Sequence, residues 1–274
     1  MTRPPALAYL VCATPRSGST LLCEMLRQTG VAGNPLEHFE LLRHSGRPRQ
    51  PREYFGGAVS RAVLELLPPL EPPRPRDEPP AAWWAGVRHA GCTPNGVWGG
   101  KLMRGHVEDL LARARALDGL GGADLATVLR VLLGDVRFVL VTRKDKVSQA
   151  VSLWRAVQTR QWREDAGAPR RPHAAVYCFE AIDHLVAQLE ADEAAWRAFF
   201  AALNGGAVAA APGRPLELPY EEIAADPRAA VARVLRLCGL PAVAIGDPPL
   251  RGQRDARSLE WAARYLADKR AQAA

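Results

Sequence analysis

The residues best suited to chemistry form the run Thr14-Pro15-Arg16-Ser17-Gly18-Ser19-Thr20, between an apolar stretch and a segment of helical spacing. A glycine in such a turn lets the backbone curl until successive N–H groups point inward. The helix that follows adds its own unsatisfied N–H groups and the positive end of its dipole. Arg16, Ser19 and Thr20 supply further donors, so the run suits an anion, although alone it also fits an ordinary turn capping a helix. What it lacks narrows the anion. A magnesium-nucleotide loop reads G-x-x-x-x-G-K-[ST], and an Asp after a later buried strand holds the ion. Here Ala13 stands at the first glycine and Ser19 at the lysine, and Arg143 follows the apolar run RFVLVT where the Asp would be. A cation there repels Mg²⁺ and attracts phosphate directly. The pattern therefore predicts an anionic nucleotide held without a metal.

A second group lies in Gly33-Asn34-Pro35-Leu36-Glu37-His38-Phe39-Glu40, where Glu37, His38 and Glu40 can each take a proton. Pro35 stiffens the approach, and Leu36 and Phe39 would partly desolvate the carboxylate between them; a solvated acidic loop is the plain alternative. Arg43 to Arg52 (RHSGRPRQPR) carries four Arg and no acid. Such a run suggests nucleic-acid contact, but no helix-turn-helix, zinc-finger or RNP-like pattern accompanies it, so no nucleic-acid partner is expected. A basic rim near an anion, or a solvated loop, is the better reading. His38, His44, His89, His106, His173 and His184 show no ligand-like spacing, and no metal site is expected.

These residues need a scaffold. The chain has 274 residues, 48% apolar and 24% charged, which excludes a wholly disordered protein and leaves room for a substantial core. No apolar run approaches the ~20 residues of a membrane-spanning helix, so no stable membrane insertion is expected. Five widely spaced cysteines without a C-x-x-C pair argue against a disulfide framework and for a reducing, cytoplasmic setting. Thr2-Arg3-Pro4-Pro5 before an apolar stretch resembles a signal peptide, but the stretch is short, contains Tyr9 and meets Arg16, so it reads as a buried first strand. The net charge, 36 − 29 = +7, speaks to solubility and steering.

Strands are expected at 9–13, 96–103, 137–142 and 215–218, the second weakened by its glycines. Leu21, Leu22, Met25 and Leu26 share a helical face, with Gly30 as the stop, and Asp145 caps the helix after RFVLVT. Further helices are expected at 56–67, 107–118, 123–134, 174–204, 226–238 and 256–270. Pro68 to Pro80 must be a surface excursion, since so many prolines fit neither a helix nor a central strand. Strands alternating with helices imply a parallel sheet covered on both sides, in one α/β domain.

The blocks AYLVCATPRSGSTLLCEMLRQTGVAGNPLEHF, QPREYF, TPNGVWGGKLM, VSQAVSLWRAVQTRQW and RSLEWAARY span nearly the whole chain. In this order they resemble the trehalose 2-sulfotransferase family, whose members use 3′-phosphoadenosine 5′-phosphosulfate (PAPS). The resemblance implies a three-layer, P-loop nucleotide-kinase-like α/β fold. It also implies transfer of a sulfuryl group to a carbohydrate hydroxyl, with the 2-hydroxyl of trehalose as one candidate. Many related loops read P-K-S-G-T-T, so Arg16 takes the place of the lysine. On this basis Arg16, Ser17, Gly18, Ser19 and Thr20 hold the 5′-phosphosulfate. Arg143 holds the 3′-phosphate with Ser148 or Ser152, which stand on either side of the usual spacing; Ser152 is preferred through a one-residue insertion. Arg257 is expected to reach the cofactor phosphate, and Lys101 is a further cation, either near the site or solvated at the surface.

A sugar hydroxyl is a weak acid, and a base that takes its proton contributes roughly 10²–10⁴-fold. The resemblance picks Glu37, with His38 as runner-up and Glu40 as a hydrogen-bond acceptor for the sugar. The family's acceptor grip maps onto Pro15, Asn34, Pro35, Leu36, Glu37, His38, Phe39, Glu40, Arg49 and Tyr54. Three of these depart from the family's trehalose enzyme, which has Gln at Pro15, Glu at Asn34 and Trp at Tyr54. Lost hydrogen bonds of this kind change discrimination strongly, so the reaction class is firmer than the acceptor. The family includes homodimers, and a homodimer is expected here. The other readings are a magnesium-dependent NTP-using kinase or ATPase and a non-catalytic nucleotide or polyanion binder.

Overall fold

Long apolar runs without polar alternation suit strands covered on both faces. Three such runs form β1 (Leu7–Ala13), β2 (Val97–Met103) and β3 (Val136–Thr142), and a shorter β4 (Leu216–Pro219) completes the sheet. The strands are parallel, in the order β2-β1-β3-β4. The computed structural model describes residues 4–40, 46–74, 77–163, 175–205, 214–250 and 255–273. Arg43 and His44 of the basic run, residues 75–76 of the Pro-rich stretch, His173 and the expected helix start at 174 lie outside them.

The two-residue period of a strand gives each face its own core. Ala8, Leu10 and Cys12 pack with helices α3 (Pro80–Gly91), α4 (Val107–Ala114), α5 (Leu125–Leu133) and α7 (Phe179–Gly205). Tyr9, Val11 and Ala13 pack on the other side with α1 (Ser19–Gln28), α8 (Tyr220–Ala225) and α9 (Pro227–Leu237). A third cluster joins α6 (Lys146–Thr159), α7 and α10 (Ala256–Ala273) around Trp154. The result is the expected three-layer α/β architecture. Among the described residues no helix is long and apolar enough to cross a membrane.

Local signals explain the ends of several elements. Asp145 caps α6, its side chain accepting from the Ser148 N–H at 2.8 Å. Gly30, at φ +68°, ends α1 with its N–H on the Arg27 carbonyl. Residues Pro68 to Arg74 form neither helix nor strand and are mostly exposed, as expected of the excursion.

Other elements differ from expectation. The helix expected at 56–67 contracts to α2 (Arg61–Glu65). The α3 helix goes unanticipated, because it begins at the last residue of the Pro-rich stretch, where proline is tolerated in a first turn. Its Trp83, Trp84 and Val87 are buried, so packing rather than propensity holds it. The glycines of β2 do not weaken that strand, which is buried throughout. A Cβ on Gly100 or Gly91 would lie 2.2 Å or 2.1 Å from the Trp98 ring, so both glycines make room for the indole.

Trp98 is thus the keystone between β2 and α3, fully buried beside Phe39 with its indole N–H donating to the Val87 carbonyl. We expect Trp98→Ala to cost about 3–5 kcal/mol, read as a lowered urea midpoint with an unchanged slope. A midpoint equal to the parent's would contradict this packing.

Candidate active site

Parallel strands carry their connections to the same edge, and open α/β sheets bind ligands there, where strand order reverses. Here β1 is flanked by β2 on one side and β3 on the other, and the turn after β1 sits in that crevice. Arg16 adopts φ +61° and Gly18 φ +84°, so the backbone of the turn curls before α1 begins at Ser19. Gly18 is constrained twice. Its φ disfavours a side chain, and a Cβ would meet the Tyr220 ring at 2.6 Å.

Two cations face this turn. Arg143, directly after β3, donates from Nη1 to the Arg16 carbonyl at 3.1 Å and lies over the Tyr220 ring at 4.4 Å. Arg16 donates from Nε to Ser152 Oγ at 2.9 Å and from Nη1 to the Trp162 carbonyl. Burial and then Arg143 push the Arg16 pKa down to about 10. Gln149 anchors the turn from α6, donating to Thr14 Oγ1 at 2.9 Å and the Pro15 carbonyl at 2.7 Å. Arg16, Gly18, Ser19, Thr20, Arg143, Ser148 and Ser152 line one cavity of about 370 Å³. No carboxylate lines it among the described residues. Ser17 Oγ, in the same turn, is fully buried without a hydrogen-bond partner among the described residues. The exposed Arg257 lies outside that lining, whereas its neighbour Ser258 is within it and accepts from Arg155.

A second cavity of about 500 Å³ opens on the β2 side and shares Arg16, Thr20, Trp162 and Arg163 with the first. Of the acceptor candidates, Pro15, Pro35, Leu36, Glu37, Glu40, Arg49 and Tyr54 line it. Lys101 lines the second cavity and reaches Thr20, which lines both. Its ammonium is almost fully buried, 2.7 Å from Glu37 Oε1 and 3.0 Å from Thr20 Oγ1. This cation is therefore no solvated surface lysine; its burial follows from its place in β2, two residues before the strand ends.

Three candidates face elsewhere. Asn34 donates to the Ala90 and Cys92 carbonyls, closing the end of α3. The His38 ring contacts the Asn34 and Gly99 carbonyls, and burial lowers its pKa. Phe39 is fully buried against Trp98. Each is a loop residue whose direction is set by α3 and β2. The described arginines of the basic run are engaged as well: Arg47 with Glu71, Arg49 with the Glu53 carbonyl, Arg52 with the Pro68 carbonyl. Trp162 and Arg163, which line both cavities, were missed by sequence reasoning; the block ending in Trp162 was the available signal.

Glu40, in the second cavity, carries a raised pKa. Burial, and then the neighbouring Glu37, raise its pKa to about 7. The folded state thus holds a proton that the unfolded chain releases near 4.5, and the penalty for ionising Glu40 grows as pH rises between these values. We expect Glu40→Gln to raise the unfolding free energy by about 1 kcal/mol at pH 8, discounted for partial solvent access, and to leave it unchanged at pH 4.5. Equal urea midpoints for the two proteins at pH 8 would contradict the shift.

Residues 8–268 match the family model described as Stf0 sulphotransferase. A trehalose 2-sulfotransferase of Mycobacterium tuberculosis (strain Erdman) is 44% identical over 261 residues, covering 95% of this chain and 94% of its own. A trehalose 2-sulfotransferase of Mycolicibacterium smegmatis is 41% identical over 262 residues, covering 95% of each. Among solved structures, the sulfotransferase domain of the Synechococcus PCC 7002 olefin synthase aligns over 97% of this chain and 89% of its own, at 16% identity and a TM-score of 0.40. With a family match across almost its full length and two relatives above two-fifths identity, the chain belongs to the Stf0 sulfotransferase family.

Proposed function

We propose that this protein transfers a sulfuryl group from PAPS to a hydroxyl of a carbohydrate acceptor, with Glu37 as general base and no metal. The observation that carries the reading is the meeting of two chambers. One is cationic and free of carboxylates among its described lining; the other holds Glu37; Arg16 and Thr20 belong to both. A carboxylate-free cavity with Arg16 and Arg143 on its wall suits a donor with phosphates at both ends. The turn residues Arg16, Ser17, Gly18, Ser19 and Thr20 would hold the 5′-phosphosulfate, and Arg143 with Ser148 and Ser152 the 3′-phosphate. Leu21, Ala224, Pro227 and Leu250 in the same lining offer apolar surface for an adenine. Arg257 is placed at the cofactor phosphate on the family resemblance alone, its neighbour Ser258 being in the lining. The donor, when bound, supplies the sulfuryl group and a phosphate leaving group.

The chain's own groups then do three things. Glu37 takes the proton of the acceptor hydroxyl as its oxygen bonds to sulfur. The turn N–H groups, Arg16 and Thr20 oppose the negative charge that gathers on the departing phosphate. Lys101 fixes the Glu37 carboxylate relative to Thr20, and so relative to the turn. The two relatives' names make trehalose the first acceptor to test, with its 2-hydroxyl as the site. Pro15 and Tyr54 line the acceptor cavity with residues unlike the family's, so other disaccharides belong in the same panel. A homodimer is proposed on the family resemblance, and sedimentation would read it.

We expect Glu37→Gln to bind 3′-phosphoadenosine 5′-phosphate (PAP) like the parent and to lose roughly 10²–10⁴-fold in kcat. Full turnover in this variant would remove Glu37 from the role of base. In calorimetry, Arg143→Ala should weaken PAP binding by about tenfold or more, since hydrogen bonds to charged groups contribute about 1.5–3 kcal/mol. Tight binding of ATP with Mg²⁺ and indifference to PAP would instead support a kinase. Salt-sensitive DNA binding without PAP affinity would support a polyanion binder.

A further inference from the structure

We propose that Trp162 is the platform on which the sugar acceptor rests, and that its main chain holds this platform in register with the anion turn. The inference rests on the sulfuryl-transfer reading above and deepens its acceptor side. Two aromatic rings, Tyr54 and Trp162, line the acceptor cavity. Tyr54, the sugar-stacking candidate by sequence, is enclosed. Arg49 lies 4.3 Å from its ring centroid, Trp162 stacks on it at 5.8 Å, and only 8% of the residue is exposed. Trp162 is 37% exposed although it lines both cavities, so the surface that Tyr54 leaves uncovered remains available to a ligand.

A pyranose presents an apolar C–H face and a rim of hydroxyls. An aromatic plane suits the first, and carboxylate and guanidinium groups suit the second. Glu37, Glu40 and Arg49 lie in the lining of the same cavity, so both kinds of surface are present together. The backbone adds the register. The Trp162 carbonyl accepts from Arg16, whose Nε also donates to Ser152. One residue thus places its ring in the acceptor cavity and its carbonyl on the cation of the donor turn. Trp162 acts by positioning the acceptor and takes no part in proton transfer.

The test uses Trp162→Ala and Trp162→Phe in the full chain, with PAPS as donor, PAP as the binding probe and trehalose as acceptor. We expect Trp162→Ala to raise the KM for trehalose by about tenfold, with smaller changes in kcat and in PAP affinity, and Trp162→Phe to recover most of the loss. Trehalose added to the PAP-loaded parent should shift tryptophan emission, and the shift should vanish in Trp162→Phe; this arm decides the matter if the alanine variant fails to fold. An unchanged KM in folded Trp162→Ala, or an emission response that survives in Trp162→Phe, overturns the platform. Equal losses of trehalose and PAP binding in both variants also overturn it, because they would mark a merely structural segment. A parent protein that sulfates neither trehalose nor any other disaccharide overturns the acceptor reading first, and the platform with it.

Discussion

Two guanidinium groups held at one turn, with no carboxylate among the described residues of the cavity they line, set the terms for the rest of this molecule. Like charges at close range repel, and burial strengthens the repulsion because less water screens it. Arg16 registers this directly, its pKa pushed down by burial and by Arg143. Tyr220 offers Arg143 a ring face, and the carbonyls of Arg16 and Trp162 accept from the two arginines. Neutral partners of this kind orient a guanidinium and leave its charge in place. An incoming anion therefore gains from removing a repulsion as well as from the hydrogen bonds it forms.

The sheet order sorts charge by side. On the β3 and β4 side stand Arg143, Tyr220 and the turn after β1. On the β2 side stand Glu24, Glu37 and Glu40, which all line the second cavity. Acids so close to the turn would weaken its hold on an anion if they were unopposed. Lys101 opposes Glu37, while Arg27 and Arg163 oppose Glu24. The proposed base can thus lie beside the anion cradle because a buried cation from β2 stands between them. This separation is a consequence of topology, since neighbouring parallel strands deliver their C-terminal residues side by side at one edge.

The parts of this arrangement that were legible in the sequence are those determined locally. The turn could be read because a glycine at positive φ, a helix start and a preceding buried strand are all short-range features. Arg143 could be read because it ends an apolar run, and Asp145 because an N-cap needs only the next three residues. The α3 helix could not be read from propensity, since tertiary packing of Trp83, Trp84 and Val87 selects it. The glycines of β2 suggested weakness because the partner they accommodate, Trp98, matters only once the strand is packed. Asn34, His38 and Phe39 map onto the acceptor grip by position, yet contacts with residues about sixty positions away turn them inward. Loop direction is a tertiary property, and spacing along the chain carries little of it.

The wall of the second cavity shows how far this non-local construction extends. Its rim includes Pro48 and Arg49, and the stretch from 47 to 52 is tied to the Pro-rich excursion through Arg47 to Glu71, Gln50 to the Glu71 backbone, and Arg52 to the Pro68 carbonyl. Glu71 also pairs with Arg160, two residues before Trp162. One exposed acidic residue therefore ties together the excursion, the rim and the segment that separates the two cavities. Single exposed ion pairs contribute little to stability, but a shared carboxylate constrains where its partners can sit. This network reaches the turn through the segment after Arg160, where the Trp162 carbonyl accepts from Arg16. In the proposed reading the network shapes the acceptor side, where Pro48 and Arg49 line the second cavity, more directly than the turn that would hold the donor.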